Sequence, residues 1–177
     1  MAIEKGVCVN EYSRCLHVIQ LMALYVLYYE FDFTARKLTN FQGFVFDLDY
    51  QCTADDTMDS LDLSEDIEKK GWNTIEVARR FPFRAKQRMG FMIKGKQKTK
   101  NLKRSIASTE LAISWYFIVA IKTLQDHYRF SKAKIRAFIE AMEQTSRTYA
   151  DYKLELKDLE YYLTEECGLK AGEKKVT

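Results

Sequence analysis

The sequence is poor in the residues that interrupt regular secondary structure. Pro82 is the single proline, and seven of the 177 residues are glycine. This scarcity argues against a β protein with many tight turns and favours helices. Because 47% of the residues are hydrophobic and 14% are aromatic, the chain can bury a sizeable core. We therefore expect a globular, all-α protein.

Cysteine and histidine are also scarce, which limits the chemistry available to the chain. Four cysteines show no Cys-x-x-Cys spacing, and Cys8, Cys15 and His17 form one short cluster without the second ligand pair of a zinc site. The acid-rich stretch at residues 47–68 lacks the glycine and the ligand order of a calcium-binding EF-hand loop. The sequence contains no glycine-rich nucleotide-binding motif. It predicts no metal, no cofactor and no enzymatic activity.

Neither of the long apolar runs is long enough to cross a membrane. Residues 16–29 and 111–121 are each shorter than the roughly 20 residues that a transmembrane helix needs. Both runs place apolar residues at spacings of three and four, which predicts two buried helices. The N-terminus lacks the basic and then apolar order of a secretory signal, so we expect a cytoplasmic protein.

One motif occurs twice in the sequence, 97 residues apart. The segments FDFTARKLTNF (31–41) and YRFSKAKIRAF (128–138) each follow one of the apolar runs. Thr34 and Ser131 are placed to cap the helix that follows, and Phe33 and Phe130 are placed to pack against that helix as a hydrophobic staple. The repeated motif therefore predicts two similar helix-to-helix corners.

The correspondence extends along the chain and indicates two tandem, related helical units. The segments 61–72 and 154–169 also correspond, and each contains a glycine, Gly71 or Gly168, of the kind that terminates helices. We expect an N-terminal unit (1–72) and a C-terminal unit (110–177) with a short disordered tail. Each unit would contain a long helix, a corner, a second helix and a short helix. The alternative to an internal duplication is a chance likeness of two amphipathic hairpins.

A basic connecting segment (73–109) joins the two expected units. Its pattern predicts a helix from about Thr74 to Arg88, with Asn73 as N-cap and Glu76 completing a capping box. The alternating lysines of KGKQKTKNLKR (94–104) are typical of a solvated loop or linker.

Opposite charges are segregated along the sequence, although the net charge is only +3. Residues 42–68 hold nine acids and no Lys or Arg, and residues 77–109 hold eleven bases and no acid. The candidate residues for binding nucleic acid or a partner are the eleven bases: Arg79, Arg80, Arg84, Lys86, Arg88, Lys94, Lys96, Lys98, Lys100, Lys103 and Arg104. The candidate acidic patch for a partner consists of Asp55, Asp56, Asp59, Asp62, Glu65 and Asp66. The two runs could instead pair with each other, within one chain or across a homodimer.

Residues 110–169 contain a long apolar helix with an aromatic-rich corner, a Lys-rich second helix and the terminal segment DLEYYLTEECGL. In these features the segment resembles small helical proteins of bacteriophages and prophages, largely from Gram-positive hosts. The corner differs, because Asp32 and Arg129 stand where those proteins often have glycine. The resemblance carries no known catalytic residue, and it implies a phage-type protein that acts inside a bacterial cell.

The sequence leaves two functions open. The first is a non-catalytic phage-type binding protein, a stoichiometric inhibitor or modulator of a host protein or ribonucleoprotein complex, such as an anti-CRISPR-like protein whose acidic patch imitates phosphates. The alternative is a nucleic-acid-binding phage regulatory protein whose basic segment 79–104 contacts DNA or RNA. A helix-turn-helix with Lys132, Lys134 and Arg136 on its second helix is a narrower form of that alternative.

Overall fold

The protein is helical in every segment with regular structure that the computed structural model describes, namely residues 9–55, 57–91 and 99–169. These ranges contain no strand, which confirms the expected all-α class. The α-helices are α1 (Val9–Phe31), α2 (Ala35–Thr53), α3 (Ser60–Lys69), α4 (Thr74–Arg80), α5 (Phe83–Lys86), α6 (Thr99–Tyr128), α7 (Lys132–Ala150) and α8 (Leu156–Tyr161). Two π-helical segments, Gln87–Phe91 and Tyr162–Glu166, continue α5 and α8. The tail expected after residue 169 lies outside these ranges.

The two longest helices, α1 and α6, pack against each other at the centre of the fold. Ile19, Met22 and Leu27 of α1 are fully buried, as are Ile113 and Phe117 of α6. These side chains belong to the apolar stripes of the sequence, so both predicted buried helices are confirmed. A single hydrophobic core joins residues from both expected units and from the segment between them. The unit boundaries at 72 and 109 stay a prediction.

Helix α6 is also the one helix of the described ranges that could cross a membrane by length and composition. The apolar window lies within Lys100–Tyr128, and 72% of it is buried against other parts of the protein. Burial of this kind is what the core helix of a soluble protein shows, so the central position of α6 accounts for its composition.

Both predicted corners are present, and the two preceding helices end in the same way. In the first corner Asp32 has a φ of 54°, and the next N–H donates to the carbonyl of Leu27 at 3.1 Å. In the second corner Arg129 has a φ of 53°, and the next N–H donates to the carbonyl of Leu124 at 3.1 Å. A left-handed residue followed by a bond to the carbonyl six residues back resembles a Schellman motif that is one residue wider. Each corner therefore terminates its helix without the usual glycine.

The predicted caps are also confirmed in both corners. The hydroxyl of Thr34 accepts a hydrogen bond from the N–H of Lys37 at 3.3 Å, and that of Ser131 accepts one from Lys134 at 3.3 Å. Phe33 and Phe130, which precede the caps, are buried, and their rings lie 6.1 Å apart. The corners thus begin α2 and α7 and also join the two halves of the core.

The contacts between the corners are reciprocal. The ring centroid of Phe31 lies 5.3 Å from that of Phe130. Tyr128 corresponds to Phe31 in the repeat, and its ring centroid lies 4.8 Å from that of Phe33. A second pair of contacts repeats the pattern: Phe31 lies 6.3 Å from Phe138, and Tyr128 lies 6.2 Å from Phe41. In the same sense α2 packs against α6, and α7 packs against α1. Each corner therefore contacts the other through residues at corresponding positions of the motif.

Glycines end two of the short elements, as predicted. Gly71 follows α3 with a φ of 93°, and Gly168 follows the segment Tyr162–Glu166 with a φ of 68°. Side chains other than glycine rarely adopt these angles. The two glycines therefore fix where the chain turns back towards the core.

The connecting segment differs from its prediction in two respects. Helix α4 begins as expected, because the Asn73 side chain accepts from the N–H of Glu76 at 3.1 Å. It ends at Arg80, since Pro82 forces the preceding residue into an extended conformation, so the predicted single helix is divided into α4, α5 and a π-helical segment. Residues 99–104 form the first turns of α6 and not a loop. The remainder of the predicted loop, 94–98, lies outside the described ranges.

Candidate functional site

The two bases at the end of α4 form salt bridges on the surface. Arg79 pairs with Glu76 at 2.7 Å, and Arg80 pairs with Glu143 of α7 at 2.7 Å. Both arginine side chains remain more than half exposed, at 59% and 54%. Exposed pairs contribute little to stability, so both guanidinium groups stay accessible to a partner.

Lys86 and Arg88 are instead directed into the fold. Lys86 is 6% exposed, and its Nζ lies 2.8 Å from a carboxylate oxygen of Glu110 on α6. The guanidinium of Arg88 lies 4.1 Å from the ring centroids of both Tyr149 and Tyr152, and it donates a hydrogen bond to the carbonyl of Tyr149. These two cations hold the connecting segment against α6 and the end of α7. The basic surface is therefore smaller than the run of bases in the sequence indicates.

The other described bases of the segment are exposed. They are Arg84 on α5 and Lys100, Lys103 and Arg104 on the first turns of α6. Among these, Arg84, Lys100 and Lys103 form no salt bridge with another described residue. The predicted contacts Lys94, Lys96 and Lys98 lie outside the described ranges. The structure thus brings together part of the predicted basic surface.

The predicted acidic patch lies around α3 and pairs with nearby lysines. Glu65 pairs with Lys69 at 3.3 Å, and Asp66 pairs with Lys70 at 2.7 Å. The hydrogen bond from Lys70 holds the pKa of Asp66 below its usual value. Within the described ranges, no salt bridge joins this patch to the basic segment 73–109. The described residues of the two charged runs therefore do not pair with each other within one chain.

The other acidic residues have separate positions. Asp59 is the N-cap of α3 and accepts a hydrogen bond from the N–H of Leu61 at 2.7 Å. Asp55 and Asp62 are exposed, and Asp56 lies outside the described ranges. A residue used as a cap contributes to the fold first, so Asp55 and Asp62 are the carboxylates of the patch most open to a partner.

The cysteine and histidine cluster is spread over different environments. Cys15 is fully buried, and its thiol donates to the carbonyl of Thr109 at 3.6 Å. The side chain of His17 is 57% exposed and lies 3.8 Å from Glu160, while Cys8 is outside the described ranges. Among the residues that the structure describes, no three His, Cys, Asp or Glu side chains are placed to hold a metal ion.

A cluster of five tyrosines forms a partly exposed surface that was not among the candidates predicted from the sequence. Tyr25, Tyr28 and Tyr29 lie on α1, and Tyr161 and Tyr162 lie where α8 passes into the π-helical segment. Tyr29 is 41% exposed and Tyr161 is 59% exposed, and the other three are half-buried. We call this cluster the tyrosine surface.

The rings of the tyrosine surface contact one another closely. The ring centroid of Tyr29 lies 4.6 Å from that of Tyr25, 4.9 Å from that of Tyr28 and 6.2 Å from that of Tyr162. Tyr162 lies 5.9 Å from Tyr25 and 6.0 Å from Tyr161. These spacings are typical of favourable aromatic pairs. The rings therefore hold one another in place while part of their area faces solvent.

Two carboxylates accompany the tyrosine surface. The hydroxyl of Tyr29 donates to the carboxylate of Glu166, and that of Tyr28 donates to the Glu166 carbonyl at 3.4 Å. Burial raises the pKa of the Tyr25 phenol, and repulsion from Tyr162 when ionised and from the carboxylates of Glu166 and Glu30 raises it further. The surface is thus aromatic, rich in hydroxyl groups and negatively charged.

A groove of about 900 Å³ lies beside the same C-terminal segment, between it, α1 and α2. Leu21, Leu24 and Leu163 supply apolar walls, and His17 and Arg36 supply polar ones. Glu160 and Thr164, which line the groove, are neighbours in sequence of the tyrosines at 161 and 162. A partner seated on the tyrosine surface could therefore extend into this groove.

One pattern in the sequence indicates part of the tyrosine surface. Tyr25, Tyr28 and Tyr29 occupy positions i, i+3 and i+4 and so share one face of a helix. In a wholly buried helix such positions suit phenylalanine or leucine, whereas tyrosine usually brings its hydroxyl to a polar partner or to water. The contribution of Tyr161 and Tyr162 depends on packing between residues far apart in the chain, which no local pattern reveals.

Comparisons of the chain with protein-family models, with curated proteins and with solved structures found no match.

Proposed function

We propose that the protein is a non-catalytic binding protein that holds a partner protein on the tyrosine surface. The observation that carries this proposal is the cluster of five tyrosines, two of them well exposed, formed by α1 and the C-terminal segment. Tyrosine combines a large, rigid contact area with a polar hydroxyl, and it is enriched among the residues that dominate binding energy. The adjacent groove gives the partner additional apolar contact area.

We further propose that the partner is a host protein or ribonucleoprotein complex in the bacterial cytoplasm. The protein would inhibit or modulate it stoichiometrically, in the manner of an anti-CRISPR protein. The resemblance of residues 110–169 to phage proteins supports this context. The exposed carboxylates of Asp55 and Asp62 support a second contact that imitates phosphates.

Photo-crosslinking in the bacterial host tests the proposal directly. A benzophenone amino acid replaces Tyr161, and a matched variant carries it in place of Tyr50, which is 51% exposed on α2. We expect one defined partner, in a stoichiometric product, from position 161 and not from position 50. Capture of the same partner from both positions, or only from position 50, contradicts the proposed surface. Turnover of a nucleotide or nucleic acid by the pure protein, abolished by one point mutation, contradicts the non-catalytic role.

A nucleic-acid-binding phage regulatory protein is the second candidate. It is favoured by the exposed cations Arg84, Lys100 and Lys103, which form no salt bridge with a described residue, and by Phe83, which is 48% exposed beside Arg84 in the sequence. Such a surface neutralises phosphates, so binding to random DNA or RNA should weaken steeply as salt is raised. Absence of binding at low salt eliminates this candidate, and a variant with Arg84→Ala, Lys100→Ala and Lys103→Ala should lose most of any binding observed.

We also propose that the chain consists of two tandem, related units produced by an internal duplication. The equal corner geometry and the reciprocal contacts of Phe31 and Tyr128 support this relation. An experimental structure in which residues 23–41 and 120–138 do not superpose would refute it.

A further inference from the structure

We infer that the partner presents a basic segment to the tyrosine surface, with Arg or Lys side chains placed over the rings and paired with Glu30 and Glu166. This inference rests on the proposed function, because it names the chemistry of the partner bound at that same surface.

The charge of the tyrosine surface favours a basic partner. Four carboxylates lie on or beside it in the sequence of α1, α8 and the segment that follows: Glu30, Glu160, Glu165 and Glu166. Glu160 faces His17 at 3.8 Å, whereas the other three form no salt bridge with any residue in the described part of the chain. Free carboxylates at an interface attract cations and repel acidic surfaces.

The rings add a second attraction for the same charge. An aromatic face attracts a cation that lies within about 6 Å of the ring centroid. The ring centroids of Tyr25, Tyr29 and Tyr162 lie 4.6, 5.9 and 6.2 Å apart, and the ring planes are inclined to one another by 48°, 52° and 86°, so each exposed ring face offers its own position for a cation. The protein uses this pairing internally, because the guanidinium of Arg88 lies 4.1 Å from each of two tyrosine rings.

Other classes of partner fit this surface less well. Nucleic acid would bring phosphates against Glu30 and Glu166, and binding of single strands by stacking requires a positively charged groove. A purely apolar helix would bury the carboxylates of Glu30 and Glu166 without a cation, which opposes binding. An Arg- or Lys-bearing segment satisfies the rings and the charges together.

The test uses the full chain, labelled with ¹⁵N, and two peptides of equal length. One peptide contains repeated Arg-Gly-Ser units, and the other contains repeated Glu-Gly-Ser units. We expect the basic peptide to bind at low ionic strength and to shift the amide signals of α1 around Tyr29 and of the segment Tyr162–Glu166. The acidic peptide should not bind.

Variants locate the contact. Tyr29→Ala should weaken binding of the basic peptide by about two- to fivefold, the effect of one exposed cation–π contact, and Glu166→Gln should weaken it while reducing its salt dependence. Tyr29→Phe keeps the ring and should bind the basic peptide more tightly than Tyr29→Ala. Tyr50→Ala, at an exposed position on α2, should leave affinity unchanged. Circular dichroism establishes that each variant is folded.

The outcomes separate this inference from the proposed function. No binding of the basic peptide, equal binding of both peptides, or equal losses in Tyr29→Ala and Tyr50→Ala would overturn the inference. If position 161 still crosslinks one defined partner in that case, the proposed function stands with a partner of different chemistry. If the basic peptide binds as expected but no partner is crosslinked from position 161, the proposed function fails and the preference of the surface for cations stands.

Discussion

The buried hydroxyl of Tyr116 yields a stability prediction with a defined sign. Tyr116 lies on α6 and is 4% exposed, and its hydroxyl has no hydrogen-bond partner among the described residues. Burial raises the pKa of this phenol far above its ordinary value. Tyr116→Phe removes the hydroxyl and keeps the ring, so the substitution measures the free-energy cost of burying that one group.

The magnitude follows from the cost of an unsatisfied polar atom. A buried polar group without a partner costs about 1–3 kcal/mol. The small void that the missing oxygen leaves offsets part of this gain. We therefore expect Tyr116→Phe to raise the free energy of unfolding by about 1 kcal/mol, which corresponds to a rise in Tm of about 2–4 °C for a chain of this length.

Urea denaturation of both Tyr116→Phe and a matched control checks the sign. Tyr128 also lies on α6, but its hydroxyl donates to the carbonyl of Lys37 at 3.0 Å. Tyr128→Phe should therefore lower the free energy of unfolding by about 0.5–1.5 kcal/mol. Opposite signs in the two variants support the reasoning.

If Tyr116→Phe loses as much stability as Tyr128→Phe, the inference that the Tyr116 hydroxyl is buried without a hydrogen-bond partner is refuted. That result would mean that the Tyr116 hydroxyl is hydrogen-bonded in solution. A cavity of about 90 Å³ has Tyr116, Gln20 and Gln42 in its wall and is large enough to hold water. A water molecule there would be the partner that such a result reveals.

Three further predictions concern close packing, a buried ion pair and pH. Gly90→Ala places a Cβ too close to Oγ1 of Thr109, so urea denaturation should show that the free energy of unfolding falls by about 1–3 kcal/mol. The control Gly43→Ala on α2, where an added Cβ meets no atom within 4 Å, should be neutral or stabilising. Lys86→Met leaves the Glu110 carboxylate, whose side chain is 18% exposed, without its partner, and should cost up to about 3 kcal/mol. Burial raises the phenol pKa of Tyr12, Tyr116, Tyr128 and Tyr149. Because these folded-state values lie above the unfolded value of about 10, their contribution to stability is complete below that pH and is lost as pH rises from the unfolded towards the folded values. Ionisation of these four phenols, followed by absorbance, should therefore coincide with loss of the helical circular dichroism signal. Ionisation of these phenols in the folded protein near their unfolded pKa would contradict the last prediction.

Features of the fold that depend on neighbouring residues could be predicted from the sequence. The caps at Thr34 and Ser131 and the ends at Gly71 and Gly168 each involve a few consecutive residues, and the structure has all four. The prediction of a loop at 94–104 is wrong for residues 99–104, which are helical, because lysine is also a good helix former. Residues 99–104 therefore extend α6 towards its N-terminus, so that the helix begins earlier than the sequence predicts.

Features that depend on distant residues could not be predicted. Arg88 is one of the eleven bases of residues 77–109, all of which the sequence analysis treated as candidate contacts for nucleic acid or a partner. Its partners are Tyr149 and Tyr152, more than sixty residues away, and a cation stacked on aromatic rings can be buried where a solitary one cannot. The tyrosine surface depends in the same way on α8 packing against α1.

The proposed duplication gives an independent reason to assign binding to the tyrosine surface. Counted with the offset of 97 residues, Tyr25 and Tyr29 of α1 correspond to Lys122 and Asp126 of α6. Where the first half has two rings at 4.6 Å, the second half has a salt bridge at 3.1 Å, with Asp66 of α3 3.9 Å from the same lysine. If the two halves are duplicates as proposed, this position of the scaffold can also carry a charged pair, and tyrosine is not the one residue type that suits it. This supports the proposal that Tyr25 and Tyr29 are present for contact with a partner.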